Sequence, residues 1–318
     1  MFLFLYNKTQ KNKLFFFHLL RSPANDLGSM KEDTISFMVN QLKTILLMGI
    51  LSVILIAIGG AIGGSTGVMI CLIFSLGMNL FQYFYSDSIV IRSCGAYPLS
   101  ANEYPELHRM VQQLTTQAGI PMPALYIMPT PQPNAFATGR NPEHAAVVVT
   151  QGILQTLSGS ELEGVLAHEL SHIKNRDILI STIAAAFASA ISGIASIVRW
   201  GAIFGGFSRD DEDGSAAAGL LMAIVAPIAA TIVQLAVSRS REYLADESAA
   251  RLTRNPRALA NALLRLENGV KHIPMQQATP SMAHMYIVQP FVGQGLLNLF
   301  STHPSTQDRV DRLYKMVV

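Results

Sequence analysis

The sequence predicts an α+β integral membrane protein, with about four transmembrane helices and a mainly helical cytoplasmic domain that carries a small β-sheet. Half of the 318 residues are apolar and only 14% are charged, which is typical of membrane proteins rather than of soluble globules. Three long uncharged runs leave room for four spans, and the polar segments between and after them carry helix and strand patterns.

Residues 1–37 form a predicted N-terminal extension. Its apolar piece, residues 14–20, is too short for a membrane span and does not match the apolar core of a signal peptide. A more ordinary sequence begins at Met30. We therefore expect Met30 to be the true start of the protein, with the preceding residues as an unstructured extension.

Residues 38–86 form the first predicted transmembrane hairpin. Residues 44–86 contain no charged side chain, and since one span needs about 20 residues, this run has room for two. The glycine-rich stretch 59–67, GGAIGGSTG, lies near its middle, where a reversal of the chain would fall. Gly59 and Gly63 also match the G-x-x-x-G pattern of closely packed membrane helices, which is the alternative explanation for these glycines.

Residues 87–177 have ordinary polar composition and form the first part of the predicted cytoplasmic domain. An amphipathic helix is predicted where apolar residues recur at helical spacing between positions 107 and 114. The segments ALYIM and AAVVVT are typical of strands. A second helix is predicted over SGSELEGVLAHELSHIKNRD, with Ser160 and Glu163 as its capping box.

Residues 178–238 form the second predicted transmembrane hairpin, and residues 239–318 return the chain to the cytoplasmic domain. The uncharged runs 178–198 and 214–238 are each long enough to cross a bilayer or to bend within it, and an acidic loop separates them. Positive charges flank one side of all four spans, which places both termini and residues 87–177 in the cytoplasm. These charges are Lys43, Lys174, Arg176, Arg239 and Arg241.

The composition argues against a nucleic-acid partner. The net charge is only +2, and no run of lysines and arginines with interleaved aromatic residues occurs. The two cysteines, Cys71 and Cys94, have neither the spacing of a zinc site nor that of a redox motif. Any metal site must therefore use other residues.

The segment VLAHELSHIKNRD has the residue pattern of a metal site. His168 and His172 are four residues apart, so on a helix their imidazoles lie on one face and can bind one zinc ion. Glu169 lies beside them, where a general base could reach a water molecule. The pattern H-E-x-x-H on a helix is typical of zinc peptidases.

A catalytic zinc site needs a third protein ligand and an open position. In metzincins a glycine and a histidine follow the motif, but Asn175 and Ile178 stand there in this chain. Site-two-type proteases take an aspartate from an apolar D-G helix, whereas the downstream D-G here lies in an acidic loop. The segment SRSREYLADESA instead offers Glu242 as third ligand, with Asp246 one helical turn further on to orient a histidine.

Four segments of the chain resemble an HtpX-type membrane zinc metalloprotease, a family related to the prenyl-protein endoproteases. They are VLAHELSHIKNRD, SRSREYLADESA, PNAFATGRNP and STHPSTQDRV, and the resemblance extends from about residue 38 to the C-terminus. It implies a zincin-like domain that binds one Zn²⁺ per chain through His168, His172 and Glu242. In that family Glu169 would act as the general base.

The resemblance also implies roles for further residues. His303 would stabilise the oxyanion, Asp246 would orient a ligand, and Arg309 would brace Glu242. An edge strand would bind an extended substrate through Asn134, Ala135, Phe136 and Ala137.

The resemblance implies a multi-pass protein of the bacterial cytoplasmic (inner) membrane, with the catalytic site and both termini in the cytoplasm. Its partners would be the lipid bilayer and polypeptide substrates, chiefly misfolded or damaged membrane proteins that a stress-response protease removes.

Two other functions are compatible with parts of this pattern. One is a membrane scaffold or transporter with a structural zinc ion, although transport is favoured by ionisable residues inside the spans and the predicted spans contain none. The other is a prenyl-protein endoprotease, whose relatives typically carry more spans around a chamber.

Overall fold

The computed structural model describes residues 26–183, 239–272, 285–288 and 304–318. The predicted catalytic residue His303 lies outside these ranges, as do residues 1–25 of the predicted extension and residues 184–238 of the second predicted hairpin.

Helix α1, Asp26–Ser93, consists of two arms that fold back on each other at Gly64. Gly64 has φ 56° and ψ −140°, a backbone conformation that interrupts the helix and that glycine adopts at little cost. The Asn79 side-chain amide donates a 2.9 Å hydrogen bond to the Ser52 hydroxyl. In a straight helix residues 27 positions apart would be about 40 Å apart, so the chain must reverse between them. The reversal falls inside the glycine-rich stretch 59–67.

Within the described ranges, one helical segment is long and apolar enough to cross a membrane. It is the second arm of α1, Gly64–Ser93, whose most apolar window has a mean hydropathy of 1.6 and is only 6% buried. Ile70, Phe74 and Leu80 on this arm are all more than half exposed. A contiguous exposed apolar surface of this kind suits contact with lipid. The total of four spans stays a prediction.

A small mixed sheet follows α1 and has the strand order β1-β2-β4-β3. Its strands β2 and β4 are parallel, and the two outer pairs are antiparallel. Among the described residues β3 pairs only with β4, so β3 is an edge strand. The strands are β1 Tyr97–Pro98, β2 Ala124–Met128, β3 Ala135–Gly139 and β4 Ala145–Thr150.

Six further α-helices are described; α3 and α4 contact the sheet and the others pack on helices. The predicted α+β architecture with a small sheet is confirmed. Helix α4 contacts α5, α6, α2 and β3, and its buried apolar face forms the centre of the core. The predicted amphipathic helix is α2, and the segments ALYIM and AAVVVT are β2 and β4. The helices are α2 Pro105–Ala118, α3 Gln151–Thr156, α4 Gly159–Lys174, α5 Arg239–Thr253, α6 Pro256–His272 and α7 Thr306–Lys315.

The N-terminus of α4 differs from the prediction. Its capping box consists of Ser158 and Glu161, so the predicted pair Ser160 and Glu163 is wrong by two residues. The main-chain N–H of Ser158 donates to Glu161 at 2.8 Å. Glu161 also forms a 2.8 Å ion pair with Arg265 of α6, and this tertiary contact explains why the earlier serine and glutamate begin the helix.

Residues 178–183, the start of the uncharged run 178–198, form a helical segment inside the protein. Ile178, Leu179, Ile180 and Ile183 are at most 3% exposed. Ile178 belongs to the same core as α4. The apolar character of these residues therefore reflects packing in the core that they share with α4.

Candidate metal centre

Helix α4 brings His168 and His172 together on one face. Their Nε2 atoms are 3.2 Å apart, and the planes of the two rings are nearly perpendicular. This geometry follows directly from the four-residue spacing, because side chains at i and i+4 lie one turn apart on the same side of a helix. The two nitrogen atoms can therefore bind the same ion.

Glu242 of helix α5 completes the cluster. Its Oε2 atom lies 3.6 Å from His168 Nε2, and its Oε1 atom lies 3.7 Å from His172 Nε2. One donor atom from each of the three residues lies within 4.8 Å of the other two. The structure thus brings the three predicted ligands to one point, although Glu242 is about 70 residues beyond α4 in the sequence.

A buried ion-pair network contacts the Nδ1 atom of His168, while its Nε2 atom faces the cluster. His168 Nδ1 lies 2.9 Å from Asp246, and Arg309 donates to both oxygens of that carboxylate at 2.7 and 2.8 Å. Arg309 approaches Glu242 only to 3.9 Å and also donates to the main-chain oxygen of Ile287 at 2.9 Å. Its principal partner is therefore Asp246, and the role of bracing Glu242 that the resemblance implies is at most secondary.

His172 is oriented in the same way by Asp177, which the sequence analysis did not assign. Both carboxylate oxygens of Asp177 lie 3.2 Å from His172 Nδ1, and Asp177 is only 3% exposed. Asp177 stands five residues after His172, just beyond the end of α4. Asp177 belongs to the same segment, VLAHELSHIKNRD, and this nearness in sequence could have suggested a role for it. Helical spacing alone, however, does not predict that its side chain turns back to His172.

The donor set fits a zinc ion. Two imidazole nitrogens and one carboxylate are ligands that zinc accepts, and three protein ligands leave the open position of a catalytic site. A carboxylate next to the second nitrogen of each imidazole fixes the ring orientation and tautomer, as is common for zinc-binding histidines. Asp246 and Asp177 supply these two carboxylates.

The charges around the two histidines favour a cation. Burial by itself lowers the pKa of His172, but the carboxylates of Asp177 and Glu242 outweigh this effect and raise the pKa to about 10. Burial also lowers the pKa of His168, and Asp246 and Glu242 again reverse the sign, so that its pKa is raised. The carboxylates around the two histidines thus favour positive charge at this point, which a divalent ion would supply.

Glu169 lies between the histidines and the edge strand. Its Oε2 atom accepts a 2.8 Å hydrogen bond from the main-chain N–H of Ala137, and the side chain is buried. Burial raises the pKa of Glu169, although the nearby histidines act in the opposite direction. The structure therefore places the predicted base next to the predicted substrate strand.

The four predicted substrate-binding residues lie along this strand with different environments. Ala135, Phe136 and Ala137 belong to β3, and the Phe136 side chain packs in a second apolar cluster behind the sheet. The side chain of Asn134 donates to Met285 O at 3.2 Å and accepts from Ile287 N–H at 3.1 Å. Asn134 therefore holds the segment 285–288 against the start of β3.

We predict that Asp177→Ala weakens zinc binding by about 10- to 100-fold, because the tautomer and orientation of His172 are no longer fixed. Asp177→Asn keeps one acceptor oxygen and should recover part of this loss. Competition with a chromophoric chelator measures the Kd of zinc. Asp87→Asn, at the end of α1, is a control that should leave the Kd unchanged. An alanine variant with the wild-type Kd would contradict the positioning role of Asp177.

A protein-family model and individual sequences relate this chain to the same group of peptidases. The family model for peptidase family M48 matches residues 101–317. The chain is 57% identical to a protease HtpX homolog of Pelotomaculum thermopropionicum over 282 residues, which are 88% of this chain and 100% of that relative. It is 51% identical to a protease HtpX homolog of Pyrococcus furiosus over 276 residues, 87% of this chain and 96% of the relative. A crystal structure of S. mikatae Ste24p has 18% identity and a TM-score of 0.48, with 89% of this chain and 66% of that chain covered.

Proposed function

The chain belongs to peptidase family M48, a family of metalloproteases, and from this premise we propose that it is a membrane-bound zinc-dependent endopeptidase. Its substrates are peptide bonds of misfolded or damaged membrane proteins at the cytoplasmic face. The observation that carries this proposal is the buried cluster of His168, His172 and Glu242, with Glu169 placed between that cluster and an edge strand.

His168, His172 and Glu242 are the proposed ligands of one zinc ion per chain. When bound, zinc supplies Lewis-acid activation of a water molecule and of the scissile carbonyl. The three ligands leave one position open, which supports a catalytic site over a purely structural one, since structural zinc sites in proteins are closed by four protein ligands.

Glu169 is the proposed general base and acid. It takes a proton from the attacking water molecule and delivers it to the leaving nitrogen of the peptide. The hydrogen bond from Ala137 N–H holds its carboxylate in place. Burial raises the pKa of Glu169, which brings the group closer to the neutral range where proton transfer in both directions is efficient.

The edge strand β3 is the proposed docking site for an extended polypeptide. One side of an edge strand is not used by a partner strand, and strand addition there gives affinity with little dependence on side chains. Asn134, Ala135, Phe136 and Ala137 form the part of this edge that lies next to Glu169. Weak sequence preference suits an enzyme that removes damaged proteins of many kinds.

We also propose that His303 stabilises the oxyanion.

We propose two transmembrane hairpins, one in residues 38–86 and one in residues 178–238 that begins only after residues 178–183, which pack in the protein core; residues 87–177 and 239–318 form the cytoplasmic domain of a bacterial inner-membrane protein. The exposed apolar arm Gly64–Ser93 supports contact with the bilayer. Phe81, Tyr83, Phe84 and Tyr85 cluster near its C-terminal end, where aromatic residues typically mark the membrane interface. The positive charges on one side of the four predicted spans support the cytoplasmic orientation.

The test compares Glu242→Ala with the wild-type protein in detergent or nanodiscs. We expect the wild type to hold one zinc per chain and to cleave a fluorescent unfolded polypeptide, and the variant to lose both zinc and at least about 100-fold in activity, because the Lewis acid contributes several kcal/mol to the transition state.

Glu247→Ala serves as the matched control, because Glu247 lies on the same helix, is exposed and pairs with Arg251. It should retain zinc and activity. Tight zinc binding by Glu242→Ala would place the third ligand elsewhere, and a zinc-loaded wild-type protein that cleaves nothing would contradict the proposed activity.

A further inference from the structure

Alternate residues of strand β3 point their main-chain groups away from β4, towards the side where Glu169 and Thr182 lie. In an antiparallel pair, the main-chain groups of alternate residues point towards and away from the partner strand. Asn134 O accepts from Thr150 N–H at 2.9 Å, whereas Ala137 N–H donates to Glu169. Ala135, Ala137 and Gly139 therefore direct their main-chain groups away from β4, along the line where an added strand would lie.

Thr182 occupies this line at Gly139. Its hydroxyl accepts a 3.0 Å hydrogen bond from Gly139 N–H and lies 3.1 Å from the hydroxyl of Thr138. The same hydroxyl donates to Ile178 O at 2.7 Å. Thr138 and Thr182 are both completely buried. One donated and two accepted hydrogen bonds use the full capacity of a hydroxyl group, so the Thr182 side chain is held in one position.

The chain leaves the edge immediately after this contact. Arg140 donates to the main-chain oxygen of Phe84 at 3.2 Å, and its guanidinium group lies over the Phe84 ring. Phe84 belongs to the apolar arm of α1, so the end of β3 is joined on one side to α1 and on the other to the helical segment 178–183. A peptide that pairs with β3 cannot continue past Gly139 without displacing Thr182.

We propose that Thr182 is a specificity-determining residue that ends the substrate-binding edge at Gly139. This inference rests on the proposed docking of substrate on β3. In the proposed mechanism Glu169 acts at the scissile bond, which would therefore lie near Ala137. Gly139 lies two residues further along the strand, about 7 Å away. On that side of the scissile bond, an extended substrate therefore pairs with β3 over no more than about two residues, and longer substrates must bend away.

The test uses a series of peptides with one fixed scissile sequence, extended by one residue at a time on either side. For the wild type we expect kcat/KM to rise and then stop rising after about two residues on one side. Thr182→Ala removes the hydroxyl and frees Gly139 N–H, so the rise should continue, with a further gain of roughly threefold to tenfold for one additional main-chain hydrogen bond. Extension on the other side should give the same profile in both proteins.

Thr182→Ser keeps the hydroxyl and should retain the wild-type profile. Thr115→Ala is the matched control for loss of a buried helical threonine. The Thr115 hydroxyl donates to Gln112 O within α2 and not to a residue of β3. A uniform loss of kcat/KM for all peptide lengths in Thr182→Ala would mean that the residue has only a structural role, and would overturn the inference.

The peptide series measured with the wild-type protein alone already tests this inference. A continued rise of kcat/KM on both sides would show that the edge does not end at Gly139, while leaving the proposed protease activity intact. Failure of the wild type to cleave peptides of any length would instead contradict the proposed function itself, and this inference with it.

Discussion

Glu169→Gln should lower kcat for peptide hydrolysis by about 10²- to 10⁴-fold, the range expected for loss of a general base. Glutamine has the shape of glutamate and its side-chain oxygen can still accept from Ala137 N–H, so the structure around it should not change. Glu169 is not among the proposed ligands, and the zinc content should therefore equal that of the wild type. Metal analysis and initial rates on one peptide measure the two quantities in the same preparation.

Glu163→Gln is the control for this experiment, because Glu163 lies on the same helix but is not part of the cluster. Its rate and zinc content should match those of the wild type. A Glu169→Gln protein that cleaves peptides at the wild-type rate would exclude Glu169 as the base. Loss of zinc along with activity would instead mean that the carboxylate helps to hold the metal.

Arg309→Met should destabilise the protein by about 3–5 kcal/mol, the usual cost of removing one partner of a buried ion pair. Arg309 is 1% exposed and donates to both oxygens of Asp246. Burial alone raises the pKa of Asp246, and the guanidinium group reverses this effect and holds the pKa below its usual value. Without Arg309, the ionised carboxylate remains buried with no cation of fixed charge. We expect Tm to fall by roughly 10 °C or more.

Two variants separate the charge effect from loss of packing. Arg312→Met lies on the same helix, but Arg312 is exposed and stacks on Tyr243, so its Tm should change by no more than a few degrees. The double variant Arg309→Met with Asp246→Asn should be more stable than Arg309→Met alone, because the unpaired buried charge is gone. Thermal unfolding of the zinc-free proteins gives these values, and an equal Tm for Arg309→Met and wild type would contradict the structural importance of the pair.

Asp246 and Arg309 also connect stability with the proposed chemistry. The same carboxylate that pairs with Arg309 contacts His168 Nδ1 at 2.9 Å, and Arg309 contacts the segment 285–288 through Ile287. That segment is bound in turn by Asn134 at the start of β3. The network therefore joins helix α7, the metal cluster and the edge strand, and removal of one member should affect all three.

Much of the local structure could be predicted from the sequence because it depends on short-range periodicity. The four-residue spacing of His168 and His172 fixes their common face on any α-helix. Alternating and apolar patterns similarly identify β2, β4 and the amphipathic helix α2. Glu242 was predictable only with an added argument, namely that it follows the fourth predicted span and so would lie on the same side of the membrane as α4.

Several contacts of the site could not be predicted in this way, because they join residues that no local pattern relates. Arg309 and Asp246 are 63 positions apart, and Asn134 and Ile287 are 153 positions apart. The capping box of α4 was predicted two residues late, and the ion pair between its Glu161 and Arg265 involves a helix about 100 residues away in the sequence. An apolar run, likewise, does not distinguish burial in protein from burial in lipid.

The sequence by itself predicted the helix that carries the candidate metal site and two of the strands, since these follow from residue type and spacing, and it predicted Glu242 as the third ligand with the added argument from membrane topology. Only the tertiary structure decided which side chains hold these groups in place. Asp177 turns back to His172, Arg309 pairs with Asp246 rather than with Glu242, and Thr182 closes the edge strand at Gly139. The physical reason is that these contacts depend on how helices and strands pack in three dimensions, and hydrophobic periodicity specifies only the face that each element buries.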